Sequence, residues 1–369
     1  MIIGSGLGGI LAGIHLKKAG LQNFVIYDKN QEFGGTWYEN TYPGFKAAVQ
    51  SQLFSFSFEQ NPDWKENFSS GPLNILSYPN LEGLNEFQGK TFHSAHWDHK
   101  YNLKGKNVAV IGNGGSGIQF MPEIAPNVQK LISFQRTPNY IIPKLEVKIP
   151  LIIRKLFKLF PITQKCIRII IFLFYEIMMV TFFNEWVNRN ISEPIFGQLV
   201  MKRKLKQLFK GDKKYLIDQL YPNYSIGCKR VLVSNNYLEM FQRENVILEK
   251  NQIKKITKNS IITLNGTEYK VDCIIFGTGY ETRKISYQCI GKNKVDLNQQ
   301  WNGVPKAYLG ITNPQYPNHF QILGKSVWIF GGCTSFYVNK GELHYFWVGG
   351  TFSYWKLTRK FNPENYIIN

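Results

Sequence analysis

The sequence predicts an α/β chain of two Rossmann-like dinucleotide-binding domains, the second inserted into the first. Three observations predict it. Gly4-Ser-Gly6-Leu7-Gly8-Gly9 follows the apolar pair Ile2-Ile3 and opens a helical pattern. Gly112-Asn113-Gly114-Gly-Ser116-Gly117 follows the run Val108-Ala109-Val110-Ile111 and opens another. In that strand–turn–helix context the glycines let backbone amides approach a pyrophosphate at a helix N-terminus. The third observation is one of charge. Nineteen residues past Gly9 stands Asp28, closing Phe24-Val25-Ile26-Tyr27, and nineteen past Gly117 stands Arg136. One fingerprint is weak evidence, because glycine-rich turns are common; two with opposite charges at one offset are specific.

The residue that ends the second strand of such a unit selects the ribose. A carboxylate accepts from free ribose hydroxyls, whereas an arginine pairs with a 2′-phosphate. The first site therefore suits an adenosine dinucleotide with an unmodified ribose, read here as FAD, on Gly4, Gly6, Leu7, Gly9 and Asp28. The second suits NADP, held by Gly112, Asn113, Gly114, Ser116, Gly117, Gln119 and Arg136. Both on one chain imply flavin redox chemistry.

Composition sets the outer limits. With 369 residues, 44% of them hydrophobic and 15% aromatic, the chain can bury two cores and is globular rather than disordered. A net charge of +19 is read as a lysine-biased composition around anionic cofactors, because the lysines are scattered. No nucleic-acid partner is expected. The five cysteines, Cys166, Cys228, Cys273, Cys289 and Cys333, form no CxxC pair and no metal spacing. Reduced thiols, a cytoplasmic setting and no metal site are expected. No signal peptide is expected ahead of Gly4.

Along the chain, a first Rossmann strand should run about five residues, yet only Met1-Ile2-Ile3 precede the glycines, so the N-terminus reads as cut. Ser69-Ser70-Gly71-Pro72-Leu73-Asn74 reads as the end of a strand–turn whose preceding helix and strands are missing. Residues 149–183 are strongly apolar, but Arg168 and Glu176 interrupt them, which argues against a membrane span. Lys202 to Lys210 is basic, with Leu205, Leu208 and Phe209 at helical spacing. A solvated helix packed by one face is the preferred reading there. Peripheral contact of 149–214 with an anionic membrane is the alternative. Further on come a strand at Val246-Ile247-Leu248, a hairpin around Asn265-Gly266 and a strand at Cys273-Ile-Ile-Phe276. Residues 326–355 carry only Lys340 and Glu342 as charges and lack a helical period. They read as a divergent, poorly packed tail.

The most specific single pattern is Phe87-x-Gly89-x₃-His93-x₃-Trp97-Asp98. It matches the form FxGxxxHxxxW(P/D) at every fixed position. On it the chain resembles the class B flavoprotein monooxygenases, the Baeyer–Villiger type of the flavin-containing monooxygenase superfamily. Gly34-Gly35-Thr36-Trp37-Tyr38 through Tyr42-Pro43-Gly44 resembles the family's flavin-side stretch. Phe134-Gln-Arg136-Thr137-Pro138 resembles its NADPH 2′-phosphate clamp, and Gly227-Cys-Lys229-Arg230 the loop bearing its active-site arginine. Val271 to Tyr280 resembles the strand and turn that re-enter the FAD domain, and Tyr316 to Gly324 its later flavin strand.

The resemblance implies roles. Gly35, Thr36, Trp37, Tyr42 and Phe54 join the FAD set, and Lys229 adds a point charge for the NADP phosphate. Phe87, Gly89, His93, Trp97 and Asp98 form a hinge coupling the domains; a satisfied core histidine is the alternative for His93. Arg230 is the catalytic residue, since a fixed guanidinium stabilises an oxygen anion without readily giving up a proton.

Departures accompany the likeness. Ala48 stands where the family carries an aspartate, and Phe54 where a flavin-contacting tyrosine is usual. Gly4 and Gly112 are 108 residues apart, short of the family's separation. The expected division is 1–100 for the first FAD segment, incomplete, and 101–264 for the NADP domain, with a helical excursion at about 145–225. The second FAD segment is 265–325 and the divergent tail 326–369. The expected activity is FAD- and NADPH-dependent monooxygenation, one atom of O₂ entering a small hydrophobic substrate by ketone oxidation. N- or S-oxygenation is the alternative within the class. A truncated relative unable to hold FAD is the alternative outside it.

Overall fold

Two grades of apolar run set the architecture. Short runs at the N-terminus make a minimal sheet, and longer β-branched runs in the middle make a buried one. The computed structural model describes residues 1–321 apart from 47–48, 54, 66–67, 70–75, 145, 184, 281–283, 304–306 and 309–310, together with 338–339 and 342–343. Phe54, Ala48, the turn at 70–74 and nearly all of the tail expected at 326–369 thus lie outside the described residues. The chain divides into two units, Met1–Lys165 with Pro194–Tyr224 and Arg230–Thr282, and Cys166–Glu193 with Ser225–Lys229 and Arg283–Asn369.

In the first unit, β1 (Ile2–Ile3) is followed by α1 (Leu7–Lys18) and β2 (Ile26–Tyr27), with β1 and β2 pairing in parallel. α1 lies close to β2 because Gly13 lacks a side chain: a Cβ there would come within 3.2 Å of both Ile26 and Phe24. Among the described residues this sheet has two strands, and Ile3 and Tyr27 are 49% and 58% exposed. A short helix, α2 (Thr36–Glu39), follows.

The central sheet is larger. β3 (Lys90–His93), β4 (Asn107–Ile111), β5 (Lys130–Phe134), β6 (Val246–Glu249) and the last strand at Cys273–Phe276 form five parallel strands. α3 (Gly117–Ile124) connects β4 to β5. β7 (Ile253–Ile256), β8 (Ser260–Thr263) and β9 (Glu268–Lys270) make a separate antiparallel meander, turning at Asn265-Gly266 as the sequence predicts. The strand Cys273–Phe276, now β10, completes the order β6-β5-β4-β10-β3. Strands buried on both faces read as unbroken apolar runs. Val108, Ala109 and Val110 of β4 and all four residues of β10 are buried accordingly. Ala109, Ile132, Ile274 and Phe276 pack in one core with Ile256 and Ile261 from the meander.

β10 corrects one expectation. Its apolar run had been assigned to a return into the FAD domain, yet it pairs with β4 and β3 in the sheet of the second fingerprint. A doubly buried strand needs two paired neighbours, and β3 and β4 supply them.

The helices between residues 151 and 220 are divided between the two units. α4 (Leu151–Leu159), α5 (Pro161–Phe183), a π-helix at Asn188–Lys202, α6 (Arg203–Leu208) and α7 (Leu216–Leu220) follow one another. Leu205 and Phe209 are buried while Lys206 and Lys210 are exposed, which is the one-face packing preferred for this basic stretch. Among the described residues no helix is long and apolar enough to cross a membrane.

The second unit contains most of α5 and, later, α8 (Leu297–Trp301), whose N-terminus is capped by Asp296 accepting from the Asn298 backbone N–H at 2.9 Å. Leu297, Trp301 and Tyr316 form its core. Tyr316–Phe320, expected as a flavin strand, pairs antiparallel with Thr312–Asn313 in a sheet of two. Cys166, Cys273 and Cys289 are free thiols, but Cys228 is joined in a disulfide, which corrects the expectation of reduced thiols throughout.

Candidate active site

The first fingerprint turns on Gly4, whose φ of +95° suits glycine. A Cβ on Gly9 would fall 1.8 Å from the Gly4 carbonyl oxygen, and one on Gly35 would fall 2.9 Å from the Gly6 Cα. Glycine is therefore required for α1 to start against its own turn, and for the Gly34-Gly35-Thr36 segment to lie against it. Leu7 opens α1, and Thr36, which is buried, opens α2 together with Trp37.

Asp28 reaches this turn from the end of β2. Its Oδ2 accepts from the Ser5 backbone N–H at 2.5 Å and from Ser5 Oγ at 2.7 Å; its Oδ1 accepts from the Asn30 backbone at 2.8 Å. Burial alone would raise its pKa, but these hydrogen bonds prevail and hold it below the ordinary carboxylate value. Asp28 is thus an oriented anion at neutral pH.

The second fingerprint repeats the geometry. Gly112 has φ +105°, and a Cβ there would lie 2.5 Å from the Gly277 carbonyl oxygen. A Cβ on Gly117 would lie 2.8 Å from the Gly112 oxygen and one on Gly114 3.9 Å from the Gly277 oxygen, while Gly115 faces open space. Asn113 Nδ2 donates to Gln135 Oε1 at 2.8 Å and to the Thr137 carbonyl at 2.9 Å, tying the turn to the end of β5. Arg136 beside it is exposed and forms no ion pair with a described residue. Ser116 precedes the first residue of α3.

The motif Phe87 to Asp98 lies along β3. A Cβ on Gly89 would collide with the Phe87 ring at 2.5 Å and with the Asp272 carbonyl at 2.6 Å, which explains the Phe-x-Gly spacing. His93 is fully buried. The Ala95 backbone N–H donates to its Nδ1 at 3.1 Å, so Nε2 carries the proton and donates to the Gly279 carbonyl at 3.1 Å. Burial pulls its pKa down to about 4. The ring packs against Tyr78 and Tyr280 at 5.4 and 5.9 Å. Both nitrogens are engaged, so His93 is a packed, neutral strut. Trp97 packs on Phe92 and on Phe120 of α3, at 5.1 and 5.2 Å, and Asp98 pairs with Lys90 at 2.6 Å.

The strut continues toward α2. Tyr280 Oη donates to Asn40 Oδ1 at 2.7 Å, and Asn40 Nδ2 donates to the Thr36 carbonyl at 3.1 Å. Tyr42, buried, donates to Gln119 Oε1 at 3.0 Å. Ser5, Asn40, Phe120 and Gln135 were not singled out from the sequence, since they fill unconstrained positions of their motifs.

Arg230 is exposed and stands just before the short strand Leu232–Val233. Lys229 belongs to the second unit, where the preceding loop is pinned at Ile226: its N–H donates to Glu193 Oε2 at 3.0 Å and its carbonyl accepts from Asn188 Nδ2 at 2.5 Å.

Comparison with known proteins agrees with this geometry. Residues 2–70 match a model of the NAD(P)-binding Rossmann-like domain, and residues 70–150 a model described as flavin-binding monooxygenase-like. A Baeyer–Villiger monooxygenase of Pseudomonas aeruginosa is 31% identical, covering 100% of this chain and 90% of that protein. The chain belongs to the Baeyer–Villiger monooxygenase family. A Baeyer–Villiger monooxygenase of Streptomyces coelicolor is 30% identical, over 93% of this chain and 76% of that one. In fold, the family member resembles cyclohexanone monooxygenase from Rhodococcus sp. Phi1 bound to NADP⁺, with TM-score 0.75 and 24% identity over 88% and 79% of the two chains. It also resembles OTEMO in complex with FAD and NADP, with TM-score 0.74 and 22% identity over 88% and 80%.

As a Baeyer–Villiger monooxygenase, the chain is an NADPH-dependent flavoprotein oxidoreductase whose cofactors are FAD and NADP. The residues present fit both groups: each turn has a cradle that a Cβ would fill, and the two strand ends carry the charges the two riboses require. The Pseudomonas alignment spans 485 positions against the 369 residues of this chain, so that relative carries internal segments absent here. The short fingerprint spacing and the two-stranded first sheet accord with such a loss.

Proposed function

We propose that this chain inserts one atom of O₂ into a small hydrophobic ketone, with FAD on the first fingerprint and NADPH on the second. The observation that carries the reading is the pairing of an oriented anion, Asp28, at one strand end with an exposed, unpaired cation, Arg136, at the other. Flavin, when bound, supplies the oxygen-transfer chemistry, and the protein supplies binding and electrostatics.

In this reading Gly4, Gly6, Leu7, Gly9 and Gly35 let the backbone approach FAD, Asp28 accepts from its ribose, and Thr36, Trp37, Tyr42 and Phe54 complete the FAD set. Gly112 to Gly117 cradle the NADP pyrophosphate, while Arg136 and Thr137 hold its 2′-phosphate. Arg230 is assigned to stabilising the oxygen anion; an arginine keeps its charge throughout the working pH range. Phe87, Gly89, His93, Trp97 and Asp98 couple the two halves.

The test is the visible spectrum of the purified protein before and after NADPH in air, followed by product analysis on a ketone, a sulfide and an amine. A yellow protein that bleaches, recovers and forms an ester supports the proposal. Sulfoxide or N-oxide without ester redirects it to N- or S-oxygenation, in keeping with Ala48 in place of a carboxylate. A colourless protein that takes up no FAD refutes it.

A second reading concerns partners. α4 turns Ile152 and Leu159 outward, 74% and 72% exposed, and residues 147–175 carry Lys148, Arg154, Lys155, Lys158, Lys165 and Arg168 with no acidic residue. An exposed apolar face among cations suits peripheral contact with an anionic bilayer. Co-sedimentation with phosphatidylglycerol vesicles but not phosphatidylcholine vesicles is expected; equal recovery with both ends this reading.

A further inference from the structure

Gln119, expected in the NADP set, hydrogen-bonds Tyr42 and Lys46 through its side-chain amide. Gln119 lies two residues past Gly117, on the first turn of α3. Its Oε1 accepts from Tyr42 Oη at 3.0 Å and from the Lys46 backbone N–H at 3.3 Å, and its Nε2 donates to the Lys46 carbonyl at 2.6 Å. One amide thus holds a backbone residue by both its N–H and its C=O, and a buried tyrosine hydroxyl as well. The loop is close against the helix: Gly44 has φ +74°, and a Cβ there would fall 2.9 Å from the Gln119 carbonyl oxygen. Tyr42 also packs on Phe45 at 4.8 Å and on Phe120, the next helical residue, at 6.1 Å. Lys46 is further tied through its Nζ to Glu146 at 3.3 Å.

We propose that Gln119 is a positioning residue through which the second fingerprint helix sets the flavin-side loop Tyr42–Lys46, so that NADP and FAD bind cooperatively. The inference rests on the functional reading above. The helix that begins at Gly117 receives the pyrophosphate, and any shift of its first turn moves Gln119. The amide hands that shift to Lys46 and so to the loop Tyr42–Lys46. A glutamine suits this work because it donates and accepts at once. Glutamate could only accept, and leucine could do neither.

The experiment compares NADP⁺ affinity of the FAD-loaded and the apo chain by titration calorimetry, with no turnover. Allosteric coupling between sites is typically 5–150-fold. The native chain is expected to bind NADP⁺ about tenfold more tightly with FAD present. Gln119→Leu should bring that ratio near one, and Gln119→Glu, which keeps the acceptor bonds, should leave it intermediate. Tyr42→Phe, which removes the hydroxyl that donates to Gln119 Oε1, should lower the ratio part-way and serves where Gln119→Leu does not fold. A merely structural role lowers melting temperature and leaves the ratio alone, so an unchanged ratio in Gln119→Leu or Tyr42→Phe overturns the inference. So does a native ratio of one. A chain that binds no FAD overturns the functional reading and this inference with it; a chain that binds FAD but shows no coupling overturns this inference alone.

Discussion

His93 makes the protein's stability sensitive to mild acid in a calculable way. The ring is fully buried, and its pKa falls from an ordinary 6.5 to about 4 because burial disfavours the cation. A histidine with a depressed folded pKa takes up a proton on unfolding. Its contribution is therefore intact above about pH 6.5 and is lost as the pH falls from there toward 4. Between pH 7 and pH 5 the loss from this group alone is about 2 kcal/mol, at about 1.4 kcal/mol per pKa unit. The assay is urea unfolding at pH 7 and pH 5 for the native chain and for His93→Gln. Other titrating groups are common to both, so the difference between the two proteins isolates His93. The native chain should lose about 2 kcal/mol more than the variant over that interval. Equal losses would refute the assignment of His93 as a neutral, desolvated strut, and would place a solvated imidazole there instead.

Further predictions follow from the same geometry. Gly9→Ala, whose new methyl would lie 1.8 Å from the Gly4 oxygen, should abolish FAD uptake while NADP⁺ binding by the second turn persists, measured by absorbance and calorimetry. Arg136→Ala should raise the KM for NADPH roughly 10–100-fold and that for NADH far less, since only NADPH carries the phosphate it pairs with. Ile274→Ala, at a fully buried site in β10, should cost about 2–5 kcal/mol in urea unfolding. A cost below 1 kcal/mol would mean that the central sheet is not the main core.

The parts legible in the sequence were those set by local sterics and charge. Gly9, Gly112 and Gly117 could be placed because no other residue lets the chain pack so close to the preceding turn, and Gly4 because its backbone takes a φ of +95°. Asp28 was likewise foreseen, but its partner Ser5 was not, because the middle residue of Gly-x-Gly carries no spacing signal. β10 was located to the residue and given to the wrong sheet. An apolar run of four reports burial on both faces but not which neighbours provide it, and that depends on β3, 183 positions earlier at its start. The neutrality of His93 was equally invisible, since it follows from Tyr78, Tyr280 and Gly279 closing around the ring. Gln119 was placed near a cofactor by its motif, and only the fold turns its amide toward Tyr42.

The slightness of the first sheet carries a consequence for the protein in its cell. Two strands of two residues each, with Ile3 and Tyr27 half in water, bury little apolar surface of their own. A two-stranded ribbon is marginally stable at best without something packed on it. Ligand binding stabilises a folded state by about 2.7 kcal/mol when the free ligand is a hundredfold above its dissociation constant. With FAD on the first fingerprint as proposed, the flavin is a structural component of this sheet as much as a reagent. Flavin supply would govern how much of the chain escapes proteolysis, so riboflavin starvation should deplete the protein itself before it limits turnover.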